Sequence, residues 1–138
     1  MRIALTASMV FSKELVAAAE ALQKQGHEIV LPADAEAYAS WKKPMEAAAE
    51  GTVNKLHGDL IRGYFDEIKN CDAVLVLNYT KNGVGNYIGG NTFLEMAFAH
   101  VLNKKLFVLN PLPELSYSDE LRALQPLTIL DGDLARIG

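Results

Sequence analysis

The sequence predicts an α/β fold built on one doubly wound, mainly parallel sheet of five strands, and three observations carry that expectation. Short apolar runs of strand length alternate with stretches of helical periodicity. The first strand, helix and second strand fit within about 30 residues, the length of a βαβ unit, whose crossover is right-handed and whose strands run parallel. The run Ala73-Val74-Leu75-Val76-Leu77 has no polar position on either side, as a strand covered by helices on both faces requires.

The elements follow in order. Arg2 to Thr6 reads as the first strand, and Ser12 to Gln25 as a helix with Leu15, Ala18, Ala19 and Leu22 on one face and Gly26 as its stop. Ile29-Val30-Leu31 forms the second strand, closed by Pro32. From Ala33 to Thr52 the chain is rich in Ala and Glu and carries Tyr38, Trp41 and Pro44; it reads as a surface excursion, either a lid or a solvated insert. Val53 to Asn70 is a long helix with Leu56, Leu60, Ile61, Tyr64, Phe65 and Ile68 as its apolar stripe. After the strand at Ala73 to Leu77 come a helix from about Thr92 to Leu102, a strand at Leu106 to Leu109, a short helix at Ser118 to Leu124 and a last strand at Leu127 to Leu130. This order is that of a flavodoxin-like fold, in which ligands bind beyond the carboxyl ends of the strands near a topological switch point. The loops over Ala7 to Phe11, Asn78 to Asn91 and Asn110 to Glu114 meet that rule.

The 138 residues, 50% hydrophobic and 22% charged, suit one domain over 1–138 with a core of its own. The net charge of −4 comes without a basic stripe, which argues against a nucleic-acid polymer or an anionic membrane as partner and for a small ligand. The N-terminus lacks the apolar length of a signal peptide and no run reaches the ~18 residues of a membrane span, so a cytoplasmic location is expected. The single cysteine, Cys71, precedes a buried strand and reads as packing. His27, His57 and His100 have no metal-ligand spacing, so neither a metal nor another cofactor is expected.

The chemistry belongs at the junction between the third strand and the helix that follows its Gly/Asn-rich loop. Gly83-Val84-Gly85-Asn86-Tyr87-Ile88 starts a dinucleotide fingerprint, but its sixth position is not glycine and the loop does not follow the first strand. No GxxxxGK[ST] loop is present. Glu95 is the one acidic residue in the apolar run from Phe93 to Leu102. Two readings stand for it. Thr92 and Glu95 have the spacing of a capping box, with Thr92 as N-cap and Glu95 at the third helical position, near the positive end of the macrodipole. Alternatively the carboxylate faces a polar-lined cavity, since burial without partners is costly, and acts there as a nucleophile.

Other candidates share that sheet edge. Ser8 could hold a hydroxyl or phosphate ahead of the first helix, whose cap Ser12 supplies. Tyr79 and Tyr87 flank the glycine loop and either stack on a base or pack. Gly89, Gly90 and Asn91 bring backbone amides to the helix entry, and Asn110 ends the fourth strand beside the same edge. His57, Asp59 and Arg62 fall within two turns of one helix, where Arg62 either meets a phosphate or forms a surface ion pair.

The stretch Asp72-Ala73-Val74-Leu75-Val76-Leu77-Asn78, a Gly-containing loop, Asn91-Thr92-Phe93-Leu94-Glu95-Met96-Ala97-Phe98-Ala99 and Asn103-Lys104-Lys105-Leu106-Phe107-Val108-Leu109 resembles the nucleoside 2-deoxyribosyltransferase superfamily, which includes the 2'-deoxynucleoside 5'-phosphate N-hydrolases. The first βαβ unit, with Thr6-Ala7-Ser8 and Gly26-His27-Glu28-Ile29-Val30-Leu31-Pro32, has a similar layout. The resemblance implies cleavage or transfer at the N-glycosidic bond of a 2'-deoxynucleoside or its 5'-monophosphate, with Glu95 attacking the anomeric carbon, substrate contacts from Ser8, Asn78, Tyr79, Gly89, Gly90, Asn91 and Asn110, and a homo-oligomer among the assemblies. Two departures mark a separate branch. Asn78 stands where the transferases tend to carry an aspartate contacting the base, and Gly89-Gly90-Asn91-Thr92-Phe93-Leu94-Glu95 keeps only the Thr and Glu of their approach. The alternative is a nucleotide-derivative sensor using the same cleft without turnover. A module binding another macromolecule through Tyr38 and Trp41 is a third reading.

Overall fold

The structure, a computed structural model, describes residues 1–33, 35 and 60–137. The expected excursion over 33–52, with Tyr38 and Trp41, falls almost wholly outside the described residues, as do His57, Asp59 and the first half of the long helix.

One five-stranded sheet organises the described chain, in the order β2-β1-β3-β4-β5, with all neighbours parallel. Its strands are β1 (Arg2–Thr6), β2 (Glu28–Val30), β3 (Ala73–Val76), β4 (Lys105–Val108) and β5 (Thr128–Ile129). The helices are α1 (Ser12–Lys24), α2 (Leu60–Lys69 as described), α3 (Gly90–Val101) and α4 (Ser118–Arg122). This is the doubly wound, flavodoxin-like α/β fold expected from the sequence, with element ends displaced by one or two residues where helices fray and strands shorten.

The apolar strands divide their side chains by parity. Ile3 and Leu5 of β1, with Ala73 and Leu75 of β3, pack against Leu15, Ala18, Ala19 and Leu22 of α1. Ala4, Val74 and Val76 pack on the other side with Ile68 of α2, Met96 and Ala99 of α3, and Leu121 beside α4. Burial on both faces is why these strands read as unbroken apolar runs. α1 ends at Gly26, whose φ of +93° is open to glycine at little cost, and the Gly26 and His27 amides close back on Gln23 and Leu22 at 3.0 and 3.1 Å. α2 and α3 meet edge to face through Phe65 and Phe98, with ring centroids 5.0 Å apart.

The strand order places the switch point between β1 and β3. From β1 the chain steps outward to β2, then returns to the other side of β1 to lay down β3, so the connections leave the two strands in opposite directions and open a crevice at their carboxyl ends. Register keeps those ends level. Thr6 pairs with Val76 and Val76 with Val108, and the next rung continues with Leu77 N–H donating to Thr6 O at 2.9 Å and Leu109 N–H to Val76 O at 2.9 Å. Thr6, Asn78 and Asn110 are therefore delivered to one edge. Among the described residues no helix is long and apolar enough to cross a membrane.

Candidate functional site

Glu95 is buried, 7% exposed, and the capping-box reading of it does not hold. α3 begins two residues earlier than its periodicity suggested, with Gly89 as N-cap and no side-chain cap bond, because Gly89 and Gly90 extend the helical turn toward the loop. Thr92 is thus the third helical residue and Glu95 the sixth. At the sixth position the carboxylate is beyond the first turn, where the helix dipole acts most strongly.

Its partner comes from the sheet instead. Thr6 Oγ1 lies 3.0 Å from Glu95 Oε1 and 3.3 Å from Thr92 Oγ1. A carboxylate in its ionised form only accepts, so the Thr6 hydroxyl donates to Glu95 and the Thr92 hydroxyl completes the chain by donating to Thr6. Thr6 and Thr92 are themselves buried, which makes this network costly to break. Thr6→Val, which keeps shape and removes the donor, is expected to lower stability by about 1–3 kcal/mol, read as a lower urea midpoint at unchanged m-value.

Tyr64 approaches the same carboxylate from α2. Its hydroxyl donates to Leu5 O at the end of β1, with Val30 O of β2 3.3 Å away. Burial holds the phenol well above its usual 10.0, and the nearby charge of Glu95 raises it further. Below pH 10 both the folded and unfolded chains keep this proton, so the contribution to stability is intact. As pH rises past about 10 the unfolded chain releases its proton first, and stability falls toward the folded value. Urea unfolding from about pH 9 to 11 should show this alkaline loss, and Tyr64→Phe should flatten it.

Glu95 borders a cleft between α2 and α3, with about 210 Å³ of empty space including a part open to solvent, lined by Leu60, Ile61, Tyr64, Asn91, Leu94, Glu95 and Phe98. One acidic group among mainly apolar walls has an interaction with developing positive charge that water screens little.

Asn78 is fully buried and its amide is used by the protein itself. Oδ1 accepts from Asn110 N–H at 2.9 Å, and Nδ2 donates toward Asn110 O at 2.9 Å, Pro111 O at 3.2 Å and Asn86 O at 3.3 Å. Asn110 returns the contact, its Nδ2 donating to Asn78 O at 2.9 Å. The reciprocal pair ties the loop after β3 to the loop after β4 and fixes the amide orientation, because a flip would set oxygen against three carbonyls. Both asparagines thus stand at the expected edge and act there as a clamp between loops.

The loop after β3 is a small hairpin. Lys81 and Val84 exchange backbone bonds at 3.0 and 2.9 Å, and Asn82 and Gly83 between them have φ of 50° and 79°, the paired positive values that an Asn-Gly turn of type I′ supplies. Gly83 therefore serves the turn. Tyr79 packs edge to face on Phe11, with centroids 5.3 Å apart. Ser8 Oγ accepts from Lys81 Nζ at 3.1 Å, and the same ammonium sits 4.9 Å from the centre of the Tyr87 ring. A Cβ at Gly89 would come within 3.1 Å of the Tyr87 hydroxyl. Gly90 and Asn91 are exposed at the start of α3, with Asn91 reaching the cleft.

Ser12 is the first residue of α1, not its cap; Phe11 holds that position, and the buried Ser12 Oγ has no hydrogen-bond partner. Cys71 is buried in the core, and burial pushes its thiol up, away from the reactive thiolate form. Among the described residues no three His, Cys, Asp or Glu side chains group so as to hold a metal ion.

Ser8, Glu95, Asn78 and Asn110 are thus placed at one sheet edge, while Thr6, Tyr64 and Lys81 join them unannounced. Thr6 and Tyr64 carried no separate signal, being a strand residue and a member of an apolar stripe. Lys81 did carry one, as the only charged residue from Asn78 to Asn91. No protein-family model matches this chain, and no curated protein matches it at a significant level.

Proposed function

We propose that the chain binds a 2'-deoxynucleoside or its 5'-monophosphate in the cleft beside Glu95 and cleaves or transfers at the N-glycosidic bond, as the sequence resemblance implies. The observation that supports this best is the position of Glu95: a buried carboxylate, free of any capping duty, bonded by Thr6 at the switch-point end of β1 and opening on an apolar cleft. A carboxylate oxygen attacks the anomeric carbon and forms a C–O bond as the C–N bond breaks, with the electron pair leaving on the base nitrogen, which takes up a proton. Water or a second base then attacks the same carbon and releases the carboxylate, with net retention of configuration. The transition state is oxocarbenium-like, so the carboxylate stabilises it before bonding to it. Thr6 limits the rotation of the nucleophile and keeps one oxygen partly engaged.

A second reading is favoured by Asn78. The position at which the transferases tend to carry a base-contacting aspartate is here committed to Asn110 and Pro111, which fits a site that binds a nucleotide derivative without turning it over.

One experiment separates the two: release of free base from 2'-deoxynucleosides and their 5'-monophosphates, with and without an acceptor base. Base release by wild type that is absent from Glu95→Gln supports the glycosidic reading. Thermal stabilisation by one of these compounds without release from any of them overturns it in favour of the sensor.

A further inference from the structure

Lys81 stands at the mouth of the β1/β3 crevice, on the hairpin that follows β3. Its ammonium carries three donors; one is met by Ser8 Oγ at 3.1 Å, and the ring of Tyr87 lies 4.9 Å away. Among the described residues it meets no carboxylate, although the other cations with contacts at the sheet surface do: Arg2 pairs with Glu28 and Glu67, Arg122 with Asp119 and Glu114, and Arg136 with Asp131. A half-buried ammonium that has given up part of its water for a hydroxyl and a ring face retains most of its charge for a ligand.

Its location relates it to Glu95. Ser8, which Lys81 contacts, follows Thr6, which holds Glu95, by two residues, so their Cα atoms are at most ~7 Å apart. A ligand whose reacting carbon is at Glu95 and whose anionic group lies about one sugar ring away reaches both. Hydroxyl and ammonium together suit an oxyanion of high charge, for which lysine acts as a point charge.

We propose that Lys81, set by Ser8 and Tyr87, binds the phosphate-monoester group of the small ligand and makes the site selective for phosphorylated over free nucleosides. The proposal rests on the reading above for the ligand's nucleoside part, and its test reads binding, which needs no turnover.

The test is calorimetric titration of wild type, Lys81→Met, Lys81→Gln, Lys81→Arg and Lys105→Met with 2'-deoxynucleoside 5'-monophosphates, the matching nucleosides and inorganic phosphate. Lys105 begins β4 at the opposite edge of the sheet, so its variant reports any effect of net charge alone. Wild type and Lys105→Met should prefer the monophosphate, with inorganic phosphate competing for it. Lys81→Met and Lys81→Gln should lose about ten- to a hundredfold of affinity for the monophosphate and none for the nucleoside, and Lys81→Arg should retain part of the preference. Equal affinity of wild type for both ligand forms, an equal loss for both in the Lys81 variants, or no binding of any anion would overturn the proposal. Lys81-dependent phosphate binding by a protein that releases no base leaves the anion site standing and removes the catalytic reading. Base release that requires Glu95 but ignores Lys81 does the reverse.

Discussion

Glu95→Gln is expected to abolish base release, by at least about 10³-fold in turnover, while ligand affinity and folding stay close to wild type. The amide keeps the length of the side chain and an oxygen in the place where Oε1 accepts the Thr6 hydroxyl at 3.0 Å, so the local network survives and the stability change should remain within about 1 kcal/mol. What is lost is the negative charge and the nucleophilic oxygen. Neither stabilisation of an oxocarbenium-like transition state nor covalent capture is then available. The split between binding and turnover is the informative quantity, since a residue that merely held the helix would alter stability without that split. Quenched time points analysed for free base, beside unfolding curves of the same preparations, measure both.

Asn78→Asp is the largest expected effect on stability, at about 4 kcal/mol or more and a fall in Tm on the order of 10–20 °C. The change replaces two donor hydrogens by an acceptor at a fully buried position. Asn78 Nδ2 faces the carbonyls of Asn110, Pro111 and Asn86 at 2.9, 3.2 and 3.3 Å; a carboxylate there opposes three carbonyl oxygens. Asn78→Ala should cost less than Asn78→Asp, because it removes the clamp without adding a buried charge. An aspartate variant as stable as wild type at neutral pH would show that the clamp relaxes easily. The same geometry gives a physical reason for asparagine at a position where the resembling transferases tend to carry aspartate: the loops after β3 and β4 are built around an amide.

How much of this was legible beforehand varied with the range of the interactions. β1, α1, β3 and β4 were readable to within a residue or two, since apolar runs and 3.6-residue periodicity are local consequences of burial. The start of α3 was not: Thr92 and Glu95 have capping-box spacing, but the glycines before them let the helix begin at Gly90, and spacing alone does not choose between overlapping starts. Glu95 stood out because a lone carboxylate in an apolar helix is costly, yet its partner lies 89 positions away in sequence. Asn78 and Asn110, 32 positions apart, each looked like a separate ligand contact, and only their pairing makes them a clamp. Lys81 was visible as a lone charge in a neutral loop, with nothing to say that its ammonium would meet Ser8.

The sequence by itself determined the doubly wound α/β architecture and the sheet edge at which a site belongs, because both follow from local patterns of burial and from the handedness of βαβ connections. Only the tertiary structure decided what Glu95, Asn78 and Lys81 do there. Each is defined by hydrogen bonds to groups on other strands and loops, and such contacts depend on strand order and register, which the local pattern does not encode.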